Sequence, residues 1–164
     1  MNSIFERTSI RRYRNDPLKE EEIKKILQAA FSAPSARNAQ PWYFIVVQNK
    51  EKLEQLSHFS MYASFLKDAA MGIIVCGDLS KNPSIDYCQQ DCAAATQNML
   101  IEAKELGIGS CWLGGYPNQD RITYLQEHMQ IPEPYLPLWM IAFGYPDEEE
   151  KVKEKWDPAK LRFE

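Results

Sequence analysis

The stretch Ala33-Pro34-Ser35-Ala36-Arg37-Asn38-Ala39-Gln40-Pro41-Trp42, running directly into Tyr43-Phe44-Ile45-Val46-Val47, separates a helix-patterned segment from a strand-patterned one. Pro34 lacks a backbone donor and ends the preceding helix, while Pro41 drives Gln40 toward extended geometry, so the backbone between them is held. Ser35, Asn38 and Gln40 add short donors and acceptors suited to the edge of a heteroaromatic ring or to a polyol. A plain helix-to-strand connection built from turn residues is the competing reading at this point.

Upstream of this loop, Ile23, Ile26, Leu27 and Ala30 recur at helical spacing between Glu20 and Ser32, which predicts a surface helix with one buried stripe. Further upstream, Met1 to Glu6 reads as a short helix. It leads into Arg7-Thr8-Ser9-Ile10-Arg11-Arg12-Tyr13-Arg14, four arginines within eight residues. If the chain turns at Ser9, Arg7 and Arg11 converge, and guanidinium forks match phosphate oxygens. A solvated basic strand is the alternative.

Downstream, Trp42 to Val47 reads as a strand, Lys50 to Leu56 as a short helix and Met61 to Leu66 as another. Met71-Gly72-Ile73-Ile74-Val75-Cys76 is a continuous apolar run of strand length, which predicts a central strand. Ile85 to Leu106 is the longest helical candidate, closed by Gly107. Its small residues Cys88, Cys92, Ala93, Ala94, Ala95, Thr96 and Ala103 suit the close approach of another helix. That places it at the centre of the protein and at a two-fold interface, with a monomeric core helix as the alternative.

Gly107-Ile108-Gly109-Ser110-Cys111-Trp112 is not a dinucleotide fingerprint, because the third glycine falls on Trp112 and the glycines follow a helix rather than a strand. Ser110 to Leu113 reads instead as a strand ending in Gly114-Gly115, where missing side chains let backbone amides lie against a flat ligand. Asn118 then caps a helix carrying Ile122, Leu125 and Met129, and Leu138 to Phe143 forms another buried strand after Pro132, Pro134 and Pro137.

Composition bounds the rest. The 164 residues carry 45% hydrophobic and 26% charged residues and no Gly/Ser linker, the profile of one globular domain spanning 1–164. The net charge of -4 disfavours a nucleic-acid surface spread over the molecule. No apolar run reaches the roughly 20 residues of a membrane helix and no signal-peptide core precedes Glu6, so no membrane partner and a cytoplasmic location are expected. Cys76, Cys88, Cys92 and Cys111 form no Cys-x-x-Cys pair, and with His58 and His128 they give no metal-ligand spacing, so buried free thiols are expected and no metal. Residues 147–164 form a tail whose Trp156 and Phe163 suggest docking on a second subunit.

Four segments together resemble the nitroreductase family of FMN-dependent oxidoreductases, in its compact form. They are Arg7 to Tyr13, the Pro34-Ser35-x-x-Asn38-x-Gln40-Pro41-Trp42 loop, Gly107 to Pro117, and Gly144-Tyr145-Pro146 with Lys153-x-Lys155. The resemblance implies an α+β fold, a mixed, mainly antiparallel sheet flanked by helices, in an intertwined homodimer with FMN at the interface. It implies that Arg7, Ser9 and Arg11 hold the phosphate and ribityl chain with Lys153 and Lys155. Pro34, Ser35, Ala36 and Asn38 of the other subunit would edge the ring, and Leu113, Gly114 and Gly115 would lie by its reactive side. NADH or NADPH would donate hydride, and nitroaromatics, quinones or similar electron-poor small molecules would accept it, in a ping-pong cycle with no catalytic side chain.

Some positions depart from that pattern or extend it. Lysine at both tail positions offers point charges without a fork. Arg37 is free to be solvated, to pair with the nicotinamide cofactor's phosphates, or to favour an acidic substrate, and Tyr62 and Phe65 are candidates for the pocket wall or for core packing. Two other classes stay open on sequence: a flavin-binding storage or sensing protein, or flavin enzyme of other chemistry, and a hydrolase using Cys111 with His58 or His128.

Overall fold

The computed structural model describes residues 2–164. Its elements follow the hydrophobic pattern closely: α1 (Ser3–Glu6), α2 (Glu20–Phe31), β1 (Trp42–Val47), α3 (Lys50–Leu56), β2 (Met71–Asp78), α4 (Ile85–Glu105), β3 (Gly109–Gly114), α5 (Gln119–Met129) and β4 (Tyr135–Gly144). The four strands form one sheet in the order β1-β2-β4-β3, every neighbouring pair antiparallel. The parallel pairing is a single bridge between Ser9 and Ser110, which joins the arginine-rich segment to the outer side of β3. The fold is α+β.

β2 and β4 are central, and their period-2 alternation feeds two separate cores. Ile73, Val75, Ile141 and Phe143 pack against α2 and α4, whose Ile26, Ala30, Cys92, Ala95 and Met99 are buried. Ile74, Cys76, Met140 and Ala142 face the opposite layer, with Leu53 and Leu56 of α3 and Leu125 of α5. A strand buried on both faces needs no polar positions, which is why β2 reads as a continuous apolar run. The small residues of α4 let it lie close on the sheet, and there the buried Trp139 indole donates to Thr96 Oγ1 at 2.8 Å.

Two expectations shift. The helix anticipated over Met61 to Leu66 is a 3-10 turn at Ser64–Asp68, preceded by exposed Met61 and Tyr62. Only Ala63, Leu66 and Ala69 are buried there, too sparse a stripe to stabilise a longer helix. β4 begins earlier than its apolar run and takes in Pro137, which sits opposite Cys76 at a register shift between Val75 and Cys76. A break in the ladder is where a residue without an N–H is tolerated.

The arginine-rich segment is fixed by its apolar residues. Ile10 is buried over Gly109, where an added Cβ would come within 2.8 Å of the Ile10 side chain. Tyr13 is buried too and its hydroxyl donates to Ile10 O at 2.5 Å. With these two side chains inward, Arg11 and Arg12 between them are left outward.

Candidate active site

Two cavities flank the Arg7–Arg11 segment. The larger, about 1050 Å³, is lined by Arg7, Ser9 and Arg11, and by Lys153, Lys155 and Trp156 of the tail. The four cations that the family resemblance implies for the FMN phosphate, Arg7, Arg11, Lys153 and Lys155, therefore line one space. Glu148, Glu149 and Glu154 also line it; Glu148 Oε1 accepts from the backbone N–H groups of Arg11 at 2.5 Å and Arg12 at 3.1 Å, and Glu154 Oε1 from those of Lys155 at 2.9 Å and Trp156 at 2.7 Å. Lys153, Lys155, Arg7 and Arg11 form no ion pair among the described residues. Thr8 lines the same cavity, and its Oγ1 is buried without a hydrogen-bond partner, a polar atom of the kind that a bound ligand satisfies. The donor set and the orphaned hydroxyl fit a phosphate ester with a polyol arm.

The second cavity, about 440 Å³, lies beyond Arg11, which lines both. Tyr62 and Phe65 form part of its wall, opposite Leu113 and Gly114. The volume is in the range of small-molecule sites, roughly 300–1,000 Å³. The two glycines are not equivalent. Gly115 N–H donates to Leu138 O at 3.2 Å and is committed to the sheet. Strand alternation turns Gly114 the other way, to the edge where Ser110 O receives Ile10 N–H at 3.0 Å, so the Gly114 amide is the one presented outward. Space separates them as well: a Cβ on Gly115 would lie 2.7 Å from Leu138 O, whereas one on Gly114 meets nothing within 4 Å. Gly115→Ala should therefore cost about 1–3 kcal/mol by overpacking against backbone, and Gly114→Ala should unfold like wild type. Urea titration of both variants checks the contrast.

The Pro34–Asn38 loop lines neither cavity in this chain. It is nevertheless rigidly built. Arg37, Asn38 and Gln40 all adopt left-handed backbone (φ 57°, 54° and 49°), so Gln40 does not take the extended geometry expected of a residue before Pro41; non-glycine residues hold this conformation only when surroundings impose it, and here the loop's tertiary anchors override the local preference. Ser35 Oγ accepts from Gln40 N–H at 2.9 Å, and Asp91 Oδ1 of α4 accepts from Ala36 N–H at 2.9 Å. Cys88 and Cys92, on either side of Asp91, both direct their thiols at Pro41 O, 3.6 Å away. The first half of α4 thus pins both ends of the loop. Asp91 is 6% exposed and its Oδ2 has no partner. Arg37 is exposed and makes no ion pair among the described residues.

Sequence reasoning missed Asp91 and Arg121. Asp91 had a signal, being a lone acid within the small-residue part of α4. Arg121 had none. Its Nη1 donates to Gly114 O at 2.7 Å and it lines the second cavity.

All four cysteines are buried and free. Burial pushes the Cys111 thiol pKa up, against the opposing pull of Arg11, a Ser9 hydrogen bond and Arg7, so it is disfavoured as a nucleophilic thiolate. His58 and His128 line neither cavity; His128 stacks on Tyr124 with ring centroids 3.8 Å apart. Cys111→Ala should keep most of its NAD(P)H turnover, which a steady-state assay reads directly.

Comparison with known proteins adds a second line. The sequence model of the Nitroreductase family matches residues 4–63 and 58–145. A protein of Archaeoglobus fulgidus provisionally named NADH dehydrogenase/NAD(P)H nitroreductase is 41% identical over 169 residues, covering 100% of this chain and 97% of its own. The crystal structure of a Clostridium acetobutylicum protein provisionally named NADH oxidase superposes with a TM-score of 0.95 at 39% identity, covering 99% of this chain and 98% of that one. An FMN-dependent nitroreductase of Clostridium difficile R20291 superposes with a TM-score of 0.91 at 34% identity, covering 99% and 97%. With its sheet, its cation-lined cavity and its proline-bounded loop all in place, this chain belongs to the nitroreductase family.

Proposed function

We propose that the protein is an NAD(P)H-dependent FMN oxidoreductase that acts as a homodimer and reduces electron-poor acceptors such as nitroaromatics and quinones. The observation that carries this reading is the convergence of Arg7, Ser9, Arg11, Lys153 and Lys155 on one cavity beside the unsatisfied Thr8 hydroxyl. These residues would hold the phosphate and ribityl arm. Leu113, Gly114 and Gly115 would border the reactive edge of the ring, with Gly114 N–H as the available donor. Pro34, Ser35, Ala36 and Asn38 would supply the remaining wall across the dimer, which accounts for a rigid loop that lines neither of the two cavities in its own chain.

When bound, FMN supplies the hydride chemistry that amino-acid side chains lack. The chain's own part is positional and electrostatic. Arg11, on the wall between the two cavities, offsets negative charge that accumulates beside it, and the outward Gly114 amide is a fixed donor that needs no reorganisation. The second cavity, walled by Tyr62 and Phe65, receives donor and acceptor in turn, so neither obstructs the other.

The exposed tail supports the dimer. Trp156 is 71% exposed in the single chain and Ile4 and Phe5 of α1 are 59% and 75% exposed, all three lining the larger cavity, and Phe163 at the end of the tail is 90% exposed, an unusual apolar display for a single chain. Among the described residues no helix is long and apolar enough to cross a membrane. We place the protein in the cytoplasm.

Steady-state oxidation of NADH and NADPH, with a nitroaromatic or a quinone varied against the donor, tests the proposal. Parallel double-reciprocal lines are expected. Flavin retention without acceptor-dependent oxidation would reduce the protein to a flavin carrier or sensor.

A further inference from the structure

Arg121 is a cation without an assignment. It lies in the first turn of α5, where the helix dipole disfavours positive charge by about 0.3–1 kcal/mol. Asp120 in the same turn suits the dipole but forms no ion pair with Arg121; among the described residues Arg121 has no carboxylate partner, and it is anchored on the carbonyl of Gly114 at 2.7 Å. That bond uses one of five guanidinium N–H donors and aims the head at the end of β3. The remaining donors belong to a side chain that lines the second cavity with Ser60, Ser64 and Tyr62. No acidic residue lines that cavity. Its other cation, Arg11, also lines the phosphate cavity and is accounted for there.

A half-buried guanidinium with free donors, hydroxyls beside it and no counter-ion is built for an anion. We propose that Arg121 is a specificity-determining residue that receives a carboxylate or phosphate group carried by the molecule entering the second cavity. That molecule is an acidic electron acceptor or the phosphorylated form of the nicotinamide donor. The inference rests on the flavin reading for what this molecule does, and on the cavity alone for its charge.

The test is isothermal titration of the purified protein with two matched pairs: para-nitrobenzoate against para-nitrobenzamide, and NADP+ against NAD+, none of which turns over. Wild type should bind the more anionic member of one pair about tenfold tighter, the worth of a charge-assisted hydrogen bond. Preference within the benzoate pair identifies the acceptor as the anion carrier, and preference within the nucleotide pair identifies the donor. Arg121→Gln should abolish the preference while leaving the neutral member's affinity unchanged, and Arg121→Lys should restore part of it. Absence of preference in wild type, its survival in Arg121→Gln, or equal loss for both members with no recovery in Arg121→Lys would each overturn the proposal. FMN content, read from absorbance near the flavin band, is recorded separately. Discrimination by a protein that takes up no FMN would leave the anion subsite standing and remove the flavin reading; loading without discrimination would do the reverse.

Discussion

Arg11→Ala should raise the dissociation constant for FMN by about 10- to 100-fold, the equivalent of a charge-assisted hydrogen bond of about 1.5–3 kcal/mol. Arg11 is exposed in the chain and makes no ion pair among the described residues, so its removal costs the fold little. Its neighbours Ile10 and Tyr13 carry the packing of the segment. The expected pattern is a loss of cofactor with an unchanged urea midpoint, checked by flavin fluorescence titration and denaturation on the same preparation. Equal FMN affinity would remove Arg11 from the phosphate site. Equal loss of stability would make the segment structural.

The second large effect is expected at Asp91. Removing its carboxylate leaves Ala36 N–H without the acceptor that anchors the front of the loop, at a cost of about 1–3 kcal/mol for a part-buried donor. Three left-handed residues follow Ala36, and conformations of that kind persist only while they are over-determined. Asp91→Ala should therefore let the loop relax and weaken FMN retention more than the stability loss alone explains. Asp91→Asn keeps an oxygen for Ala36 N–H and should recover most of the retention. Comparable retention in both substitutions would mean that Ser35 and the two thiols hold the loop unaided.

The contrast between Arg11 and Asp91 shows what a sequence carries. Helix and strand positions were legible because burial imposes a period: the stripe Ile23, Ile26, Leu27, Ala30 and the unbroken run Met71 to Cys76 could satisfy only one geometry each. The arginines of the larger cavity were legible as part of a cluster of four within eight residues, whereas Lys153 and Lys155 were singled out only through the family resemblance. Asp91 and Arg121 were not legible, since each acts through a tertiary partner, Ala36 N–H at 55 residues' separation and Gly114 O across a turn. The 3-10 turn at Ser64–Asp68 and the entry of Pro137 into β4 escaped for the same reason, because a sparse stripe and a ladder irregularity are decided by neighbours. The glycine pair was half legible: a flat-ligand surface could be read, but only the register shows that Gly115 serves the sheet and Gly114 the cavity.

The loop from Ala33 to Trp42 is built with more restraint than a connection requires, yet it lines neither of the two cavities beside Arg11. A dimeric flavin site reconciles these facts. The most direct test is to purify the protein and follow its visible spectrum while NADH or NADPH is added without oxygen. A yellow protein with one FMN per chain is expected, which bleaches on addition and recovers its colour when a nitroaromatic or quinone follows. A colourless protein that cannot be reconstituted with FMN would contradict the flavin site.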